Sequence, residues 1–294
     1  MPVAKWENGV ADKIYGVIGA TSLVGAALLP RLVASNCRVA AFSRRKPESE
    51  NPNLQPGSLV WNPKGVEITH WISLAPIWVL AELLPMLEAR GARKVVVLST
   101  TSLFTKSRSE SPAEQRLVEG IRTSEAMLAE WAGKHDIEWV VLRPTLIYGL
   151  GKDRNISEIA RMINRFGFFP LLGEGVGLRQ PIHAEDVAQA CQAALDLPEI
   201  KNRAYNISGS EQLSYREMVL RIFRCMDKQE RLVSIPRWAF KMVLLLLRRF
   251  RRFQDWSVAM VDRMNQDMVF DHAEAEQDIG FKPRPFRLEV GDLP

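Results

Sequence analysis

Cysteine is scarce in this sequence, and the few cysteines that occur lie far apart. Only three are present among 294 residues, Cys37, Cys191 and Cys225, and no pair has the two-residue spacing of a zinc or redox motif. This scarcity argues against both a disulfide framework and a zinc site. Because it favours a reducing compartment, we expect a cytoplasmic protein without a bound metal.

Long apolar segments are also lacking. Residues 1–13 are polar, with Glu7 and Asp12, and do not contain the apolar stretch of a signal peptide. No uncharged apolar run reaches the roughly 18–20 residues that span a bilayer. The longest candidate, 68–81, is interrupted by His70 and Pro76. The sequence therefore predicts neither a secretion signal nor a membrane-spanning helix.

A general excess of positive charge is absent as well, although the formal net charge is +5. Residues 237–252 hold six basic side chains and no acidic one, which leaves 33 of the 39 basic residues against 34 acidic residues elsewhere. This distribution argues against a nucleic-acid partner. Two interpretations of 237–252 stay open. It is a peripheral contact with an anionic membrane or a lipid-linked substrate, or a helix whose C-terminal arginines complement its dipole.

The most informative stretch is Ile14–Leu29, where a short apolar run leads through small residues into a helical apolar pattern. A strand, a glycine turn and a helix N-terminus in this order form an anion site, because backbone N–H groups point outward there. Gly19 permits the tight turn, and Gly25 permits close packing of the helix on the sheet. Ser22 stands where a second glycine is usual. The residues predicted to hold a dinucleotide here are Gly19, Thr21, Ser22, Leu23, Val24 and Gly25.

The next predicted strand, 37–42, ends in Ser43, Arg44 and Arg45. Ser43 follows Gly19 by 24 residues, close to the roughly 20 residues that separate a glycine turn from the residue that binds the adenosine ribose. An acidic residue here would bind the 2′-hydroxyl of NAD, but none is present. Arginine forks match a 2′-phosphate, so Ser43 and Arg44 favour NADP over NAD. The alternative is a solvated strand end.

Apolar strands and helices alternate through the first half of the chain, which predicts a parallel sheet covered on both faces. Strands are predicted at 58–61, 71–75, 94–98 and 137–142, with helices at 76–90 and 112–134. The second half is less regular. It is predicted to hold helices at 157–166, 184–195, 214–226, 236–252, 256–265 and 273–279, an extended piece at 179–183, a strand at 204–207 and a loop at 168–177.

Five motifs in this order resemble the extended short-chain dehydrogenase/reductases, in particular the NAD(P)-dependent epimerase/dehydratase group. They are the glycine turn, Ser99–Thr101, Arg143–Gly149, Ile182–Ala188 and Tyr205–Gly209, and the resemblance covers roughly 13–285. It implies a doubly wound Rossmann sheet (13–150 and 182–208) with a smaller C-terminal substrate lobe (151–181 and 209–294). The cofactor would lie across the strand ends, against Leu74, Ala75, Pro76, Ser99, Pro144 and Tyr148.

The chemistry of that family uses a Ser or Thr together with a Tyr and a Lys four residues apart on one helix. Thr101, with Thr100 beside it, matches the hydroxyl position. The helix 112–134 contains no tyrosine, and its only lysine is terminal. Aligning Glu125 with the glutamate that often follows the pair puts Leu117 and Ile121 at the Tyr and Lys positions.

Other groups come into question as proton donors. Tyr148 and Lys152 are four apart, but glycines lie between them in a predicted loop. Glu119, Arg122 and Glu125 are conceivable replacements, although such residues on a long helix more often form a solvated face.

Two arginines and a histidine complete the candidates. The resemblance places Arg179 where the diphosphate of a nucleotide sugar would bind, and Arg284 is a weaker second contact. For His183 we expect a structural hydrogen bond.

Two functions remain open on the sequence. One is an NADP-dependent oxidoreductase, epimerase or dehydratase that acts on a small carbonyl or nucleotide-sugar substrate with an altered proton donor. The other is a non-catalytic NADP-binding sensor, scaffold or assembly factor. Either could be an oligomer.

Overall fold

The computed structural model describes residues 13–44, 59–107, 109, 111–236 and 263–294. Its strands are β1 (Ile14–Ile18), β2 (Arg38–Phe42), β3 (Leu59–Trp61), β4 (His70–Ser73), β5 (Lys94–Leu98), β6 (Glu138–Pro144), β7 (Ile147–Tyr148), β8 (Phe169–Leu172), β9 (Leu178–Arg179), β10 (Ile182–His183), β11 (Arg203–Ile207), β12 (Leu213–Ser214) and β13 (Leu232–Ile235). Its α-helices are α1 (Leu23–Ala34), α2 (Leu80–Ala89), α3 (Ser102–Thr105), α4 (Pro112–Lys134), α5 (Ile156–Phe166), α6 (Ala184–Asp196), α7 (Tyr215–Cys225) and α8 (Ala273–Ile279).

Seven parallel strands form one sheet in the order β11-β6-β5-β4-β1-β2-β3. The chain runs outward from β1 through β2 to β3, and then returns to the other side of β1 to add β4. This reversal creates a crevice at the carboxyl ends of β1 and β4, where open α/β sheets bind ligands. The predicted doubly wound parallel sheet is confirmed.

Helices cover both faces of the sheet because its central strands are apolar on both sides. On one face α1 packs beside α6, with Leu28, Leu32 and Cys191 in a common core. On the other face α2 and α4 contribute Leu84, Ile121 and Leu128 to a second core. At roughly 25 cal/mol per Å² of apolar surface removed from water, such side chains each contribute about 1.5–3 kcal/mol to folding.

The later elements build a third core, in which α5 and α7 pack against the segment around Phe286. The predicted loop at 168–177 is wrong in its first part, because Phe169–Leu172 pairs in parallel with Leu232–Ile235. The glycines of 168–177 begin only after that strand, at Gly173. The division of the chain into a Rossmann domain and a lobe stays a prediction.

Several of the predicted helices are confirmed, with ends shifted by a residue or two. The helix predicted at 236–252, including the basic segment 237–252, lies outside the described residues. So does most of 256–265, of which Arg263–Asn265 is a 3₁₀ turn. Among the described helices, none is both long and apolar enough to cross a membrane.

Gly16 provides a test of core packing, because a Cβ built on it would lie 2.2 Å from the Trp71 ring. We expect Gly16→Ala to lower the free energy of unfolding by about 1–3 kcal/mol through overpacking. The matched control is Gly120→Ala in α4, where a Cβ meets no atom within 4 Å. This control should raise stability by up to about 1 kcal/mol. Urea unfolding of the two variants measures both changes, and equal effects would contradict this packing account.

Candidate functional site

The turn after β1 is squeezed between two neighbouring strands. Gly19 has φ +75°, and a Cβ on it would lie 2.9 Å from the backbone of Leu74 and Ala75. Its N–H donates to the carbonyl of Phe42 at 3.0 Å, while the N–H of Leu74 donates to Ile18 at 2.8 Å. A larger residue would meet both a left-handed backbone and a backbone clash. The ends of β1, β2 and β4 therefore meet at this glycine.

The helix after the turn begins with N–H groups that have no partner within the helix. Ser22 is the N-cap of α1, and its hydroxyl oxygen accepts from the N–H of Gly25 at 3.1 Å. The first-turn N–H groups of Leu23 and Val24 have no partner within the helix, since every α-helix leaves its first donors unpaired. The Ser22 oxygen is used in capping, and its proton can still donate. These groups fit a phosphate at the positive end of a helix dipole.

The end of β2 is tied to this turn. The hydroxyls of Thr21 and Ser43 lie 2.8 Å apart, and Arg44 follows with an exposed side chain. The sequence analysis did not identify Asn62, which comes directly after β3 and exchanges two hydrogen bonds with the backbone of Ser43. An asparagine between a predicted strand and a proline was the available signal.

The hydroxyl groups after β5 are already engaged within the protein. Thr101 is 6% exposed, and its hydroxyl donates to the carbonyl of Pro144 at 3.1 Å. The hydroxyl of Thr100 donates to that of Ser102 at 3.1 Å. The hydroxyl of Ser99 donates to a carboxylate oxygen of Glu125 at 2.5 Å. Each of these oxygens keeps the capacity to accept a hydrogen bond.

The face of α4 that carries Tyr and Lys in the family that this sequence resembles is apolar in this chain. Ile121 is fully buried in the core between helix and sheet, and Leu117 packs against the same core. One turn further on, Glu125 binds the guanidinium of Arg143, with Nε at 3.0 Å from Oε1 and a second contact between Nη2 and Oε2. Glu125 is therefore held as a charged partner of Arg143, while Glu119 and Arg122 are exposed.

Tyr148 and Lys152 do not form a helical pair. Gly149, Leu150 and Gly151 all have positive φ, so a spacing of four residues does not place the two side chains on one face. The Tyr148 ring is fully buried and packs edge-on against His183 at 5.1 Å and Phe286 at 4.9 Å. Burial raises the pKa of the Tyr148 phenol above its usual value. Lys152 is exposed.

Arg179 is 5% exposed and is engaged with backbone carbonyls. Its Nη1 donates to the carbonyls of Leu178 and Gln266 at 2.8 Å each, and its guanidinium lies 5.4 Å from the centre of the Tyr215 ring. The side chain of Arg179 thus links its own strand, β9, to the backbone at Gln266. Its predicted contact with a substrate diphosphate stays a prediction.

His183 and Arg284 lie together at the start of α6. The Nδ1 of His183 accepts from the N–H of Glu185 at 3.2 Å, and Nε2 lies 3.0 Å from Asp292. The expected structural hydrogen bond is therefore present. Arg284 contacts Asp186 at 2.9 Å and Glu185 at 2.8 Å. Both residues line a cleft of about 380 Å³, in which Arg284 has carboxylate partners.

Comparison with known families bears directly on this site. Residues 77–208 match the NAD dependent epimerase/dehydratase family. This segment, somewhat less than half of the chain, is therefore similar to that family. The match covers the β5 hydroxyls, all of α4, Arg143 and His183, so the apolar face of α4 is a departure within the epimerase/dehydratase segment itself.

Curated relatives are distant. The chain is 24% identical over 174 residues to UDP-glucose 4-epimerase of Vibrio cholerae, covering 58% of this chain and 50% of that protein. It is 28% identical over 100 residues to NADH dehydrogenase [ubiquinone] 1 alpha subcomplex subunit 9, mitochondrial, of Arabidopsis thaliana, covering 34% and 25%. The chain thus spans half or less of the length of these relatives.

The fold is shared with solved epimerases. A UDP-glucose 4-epimerase of Thermus thermophilus, solved in complex with NAD, superposes with a TM-score of 0.65 at 16% identity, covering 95% of this chain and 96% of that one. At this identity the likeness supports the epimerase/dehydratase fold.

The ion pair between Glu125 and Arg143 is expected to stabilise the folded protein. Glu125→Gln leaves a largely buried guanidinium without its charged partner, and we expect a loss of about 2–4 kcal/mol in the free energy of unfolding. Glu130→Gln is the matched control on the same helix, because Glu130 pairs with Lys134 in an exposed i,i+4 contact. That control should cost less than about 0.5 kcal/mol. Denaturant unfolding provides the measurement, and similar losses at both positions would argue against a buried role for Glu125.

Proposed function

We propose that this chain binds NADP(H) across the carboxyl ends of β1, β2 and β4. The observation that carries the proposal is the turn at Gly19, where a positive φ, backbone contact with Leu74 and Ala75, and the capped start of α1 coincide. This arrangement supports binding of a pyrophosphate to the N–H groups of Leu23 and Val24.

The preference for NADP is proposed from the end of β2. Ser43 and Arg44 occupy the place where an acidic residue would bind the ribose of NAD. The exposed guanidinium of Arg44 offers paired donors to a 2′-phosphate, and the Ser43 hydroxyl lies beside Thr21. The remaining predicted contacts, Pro76, Ser99, Pro144 and Tyr148, belong to the same proposal. Of these, Tyr148 would act through packing, since its ring is fully buried.

We further propose an oxidoreductase, epimerase or dehydratase reaction on a small carbonyl or nucleotide-sugar-like substrate. When bound, the nicotinamide supplies or accepts a hydride at its C4. In the direction of reduction, the substrate carbonyl carbon gains the hydride and its oxygen gains a proton, which we assign to water. Because Thr101 donates its own proton to Pro144, its oxygen would orient a substrate hydroxyl by accepting a hydrogen bond from it. The names of the epimerase relatives support this substrate class.

A second candidate is a non-catalytic NADP-binding protein that serves as a sensor, scaffold or assembly factor. Specific observations favour it. The positions of the Tyr–Lys pair hold Leu117 and Ile121, and the three hydroxyls after β5 donate to protein groups. One relative is named as a subunit of NADH dehydrogenase. Oligomer formation, a membrane contact through 237–252 and a cytoplasmic location are consistent with either candidate and remain predictions.

Cofactor preference is tested by binding. NADPH should raise the melting temperature more than NADH at equal concentration, because a ligand that binds only the folded state stabilises it by an amount that grows with the logarithm of its affinity. Arg44→Ala should weaken NADPH binding roughly 10- to 100-fold, the effect of losing one or two charge-assisted hydrogen bonds, with little change for NADH. Arg38→Ala, at the opposite end of β2, is the control. If calorimetry detects neither dinucleotide, the proposal fails.

Turnover separates the two candidate functions. An oxidoreductase should oxidise NADPH in the presence of a member of a panel of 4-keto nucleotide sugars and simple ketones. An epimerase or dehydratase should instead convert a nucleotide sugar with no net oxidation of the bound cofactor. For a substrate that carries a hydroxyl group, Thr101→Val should then lower kcat/KM by up to about 10-fold, while Thr101→Ser retains most of it, since only the valine removes the oxygen that accepts the hydrogen bond. The non-catalytic candidate predicts NADPH binding with neither oxidation of NADPH nor conversion of a nucleotide sugar. Loss of activity in both variants alike would indicate a packing role for Thr101.

A further inference from the structure

The side chain of Asn62 extends the hydrogen bonding between β2 and β3 by one residue, beyond the point where the backbone of Asn62 turns away. Its N–H donates to the carbonyl of Ala41 at 2.8 Å, which is the last bond of the β2–β3 ladder. At φ +46° the backbone then turns away into Pro63. The side-chain amide takes over from there. Its Oδ1 accepts from the N–H of Ser43 at 3.2 Å, and its Nδ2 donates to the carbonyl of Ser43 at 3.3 Å.

This pairing is specific to a carboxamide at this position. The amide group carries a donor and an acceptor side by side, as a peptide group does, so it can satisfy both backbone groups of one residue. Pro63 has no N–H and could not extend the ladder. Asparagine also tolerates the left-handed backbone better than most residues do.

The residue that Asn62 holds is the one at the proposed ribose site. Ser43 is fixed by its backbone to Asn62 and through its hydroxyl to Thr21 at 2.8 Å. Arg44 follows Ser43 directly, so the direction in which it leaves the sheet depends on the backbone of Ser43. We propose that Asn62 is a positioning residue for recognition of the 2′-phosphate of NADP, which it serves by holding Ser43 and Arg44 in place. This inference rests on the proposed NADP binding and adds a specificity determinant to it.

The chain contains a matched counterpart at the opposite edge of the sheet. Asn202 also has a left-handed backbone, with φ +54°. Its N–H donates to the carbonyl of Trp139 at 2.6 Å, and its Oδ1 accepts from the N–H of Trp139 at 3.3 Å. It therefore makes the same kind of contact, but at the start of β6, at the amino ends of the strands. Asn202 thus makes one side-chain bond to the backbone where Asn62 makes two, and it lies at the end of the sheet away from the proposed cofactor site.

The experiment compares Asn62→Gly with Asn202→Gly in the full chain. Glycine accepts both left-handed backbones, so each variant loses the amide contact without backbone strain. Dissociation constants for NADPH and NADH are measured by calorimetry, and melting temperatures without ligand report the structural cost. We expect Asn62→Gly to weaken NADPH binding roughly tenfold and NADH binding less than about twofold, so that the preference for NADPH falls by at least about fivefold, or about 1 kcal/mol. Asn202→Gly should lower the melting temperature and leave the NADPH to NADH ratio unchanged.

A second variant guards against misfolding at position 62. Asn62→Asp keeps the acceptor for the Ser43 N–H and the tolerance for a left-handed backbone, but it removes the donor and adds a negative charge. It should reduce the NADPH preference further than Asn62→Gly does.

The possible outcomes distinguish a failure of the role of Asn62 from a failure of the proposed NADP preference. If wild type prefers NADPH and Arg44→Ala removes the preference while both substitutions of Asn62 retain it, NADP recognition stands and the role of Asn62 is overturned. Equal weakening of NADPH and NADH by Asn62→Gly overturns it too. A wild-type chain that binds neither dinucleotide, or binds both equally, overturns the inference together with the proposed preference.

Discussion

The close approach of Gly19 to the ends of β2 and β4 is the constraint on which the candidate site depends. The glycine N–H is bonded to Phe42, and its Cα faces the peptide that joins Leu74 to Ala75. No side chain fits there, so the chain turns within the width of one strand and delivers α1 to the crevice where the strand order reverses. The start of α1, the Ser43 hydroxyl and the β4 end are then gathered at one edge without long loops.

The polar groups around β1 and β2 differ from those around β5 and β6 in how many of them bind other groups of the protein. Around β1 and β2 the hydrogen bonds hold backbone in place, as Asn62 does for Ser43, and leave helix N–H groups and Arg44 for a ligand. Around β5 and β6 the polar groups satisfy one another. The carboxylate of Glu125 joins the hydroxyl of Ser99 to the guanidinium of Arg143, which lies 5.5 Å from the centre of the Phe104 ring. The polar groups around β1 and β2 are thus available to the proposed cofactor, whereas those around β5 and β6, where proton transfer would be expected, bind one another.

Much of this could be predicted from the sequence because its signals are local. Glycine at a turn, apolar runs of strand length and helical spacing of apolar residues each act within a few residues, and they led to the sheet and to the helix bounds. The missed features depend on contacts between distant segments. β8 is a strand because 232–235 lies beside it, and Arg179 is buried because Gln266 receives its N–H. Asn62 gains its importance only when β3 is placed next to β2, so no pattern within its own segment could indicate Ser43 as its partner.

The complete burial of Ile121 limits which side chains α4 can carry at this position. A Tyr–Lys pair at the positions that the family resemblance indicates would require Leu117→Tyr together with Ile121→Lys. The second change would insert an ammonium group into a position with no solvent contact, where desolvation of a charge costs several kcal/mol. Two point changes are therefore not enough to place such a pair on this helix. The surrounding core would have to open as well.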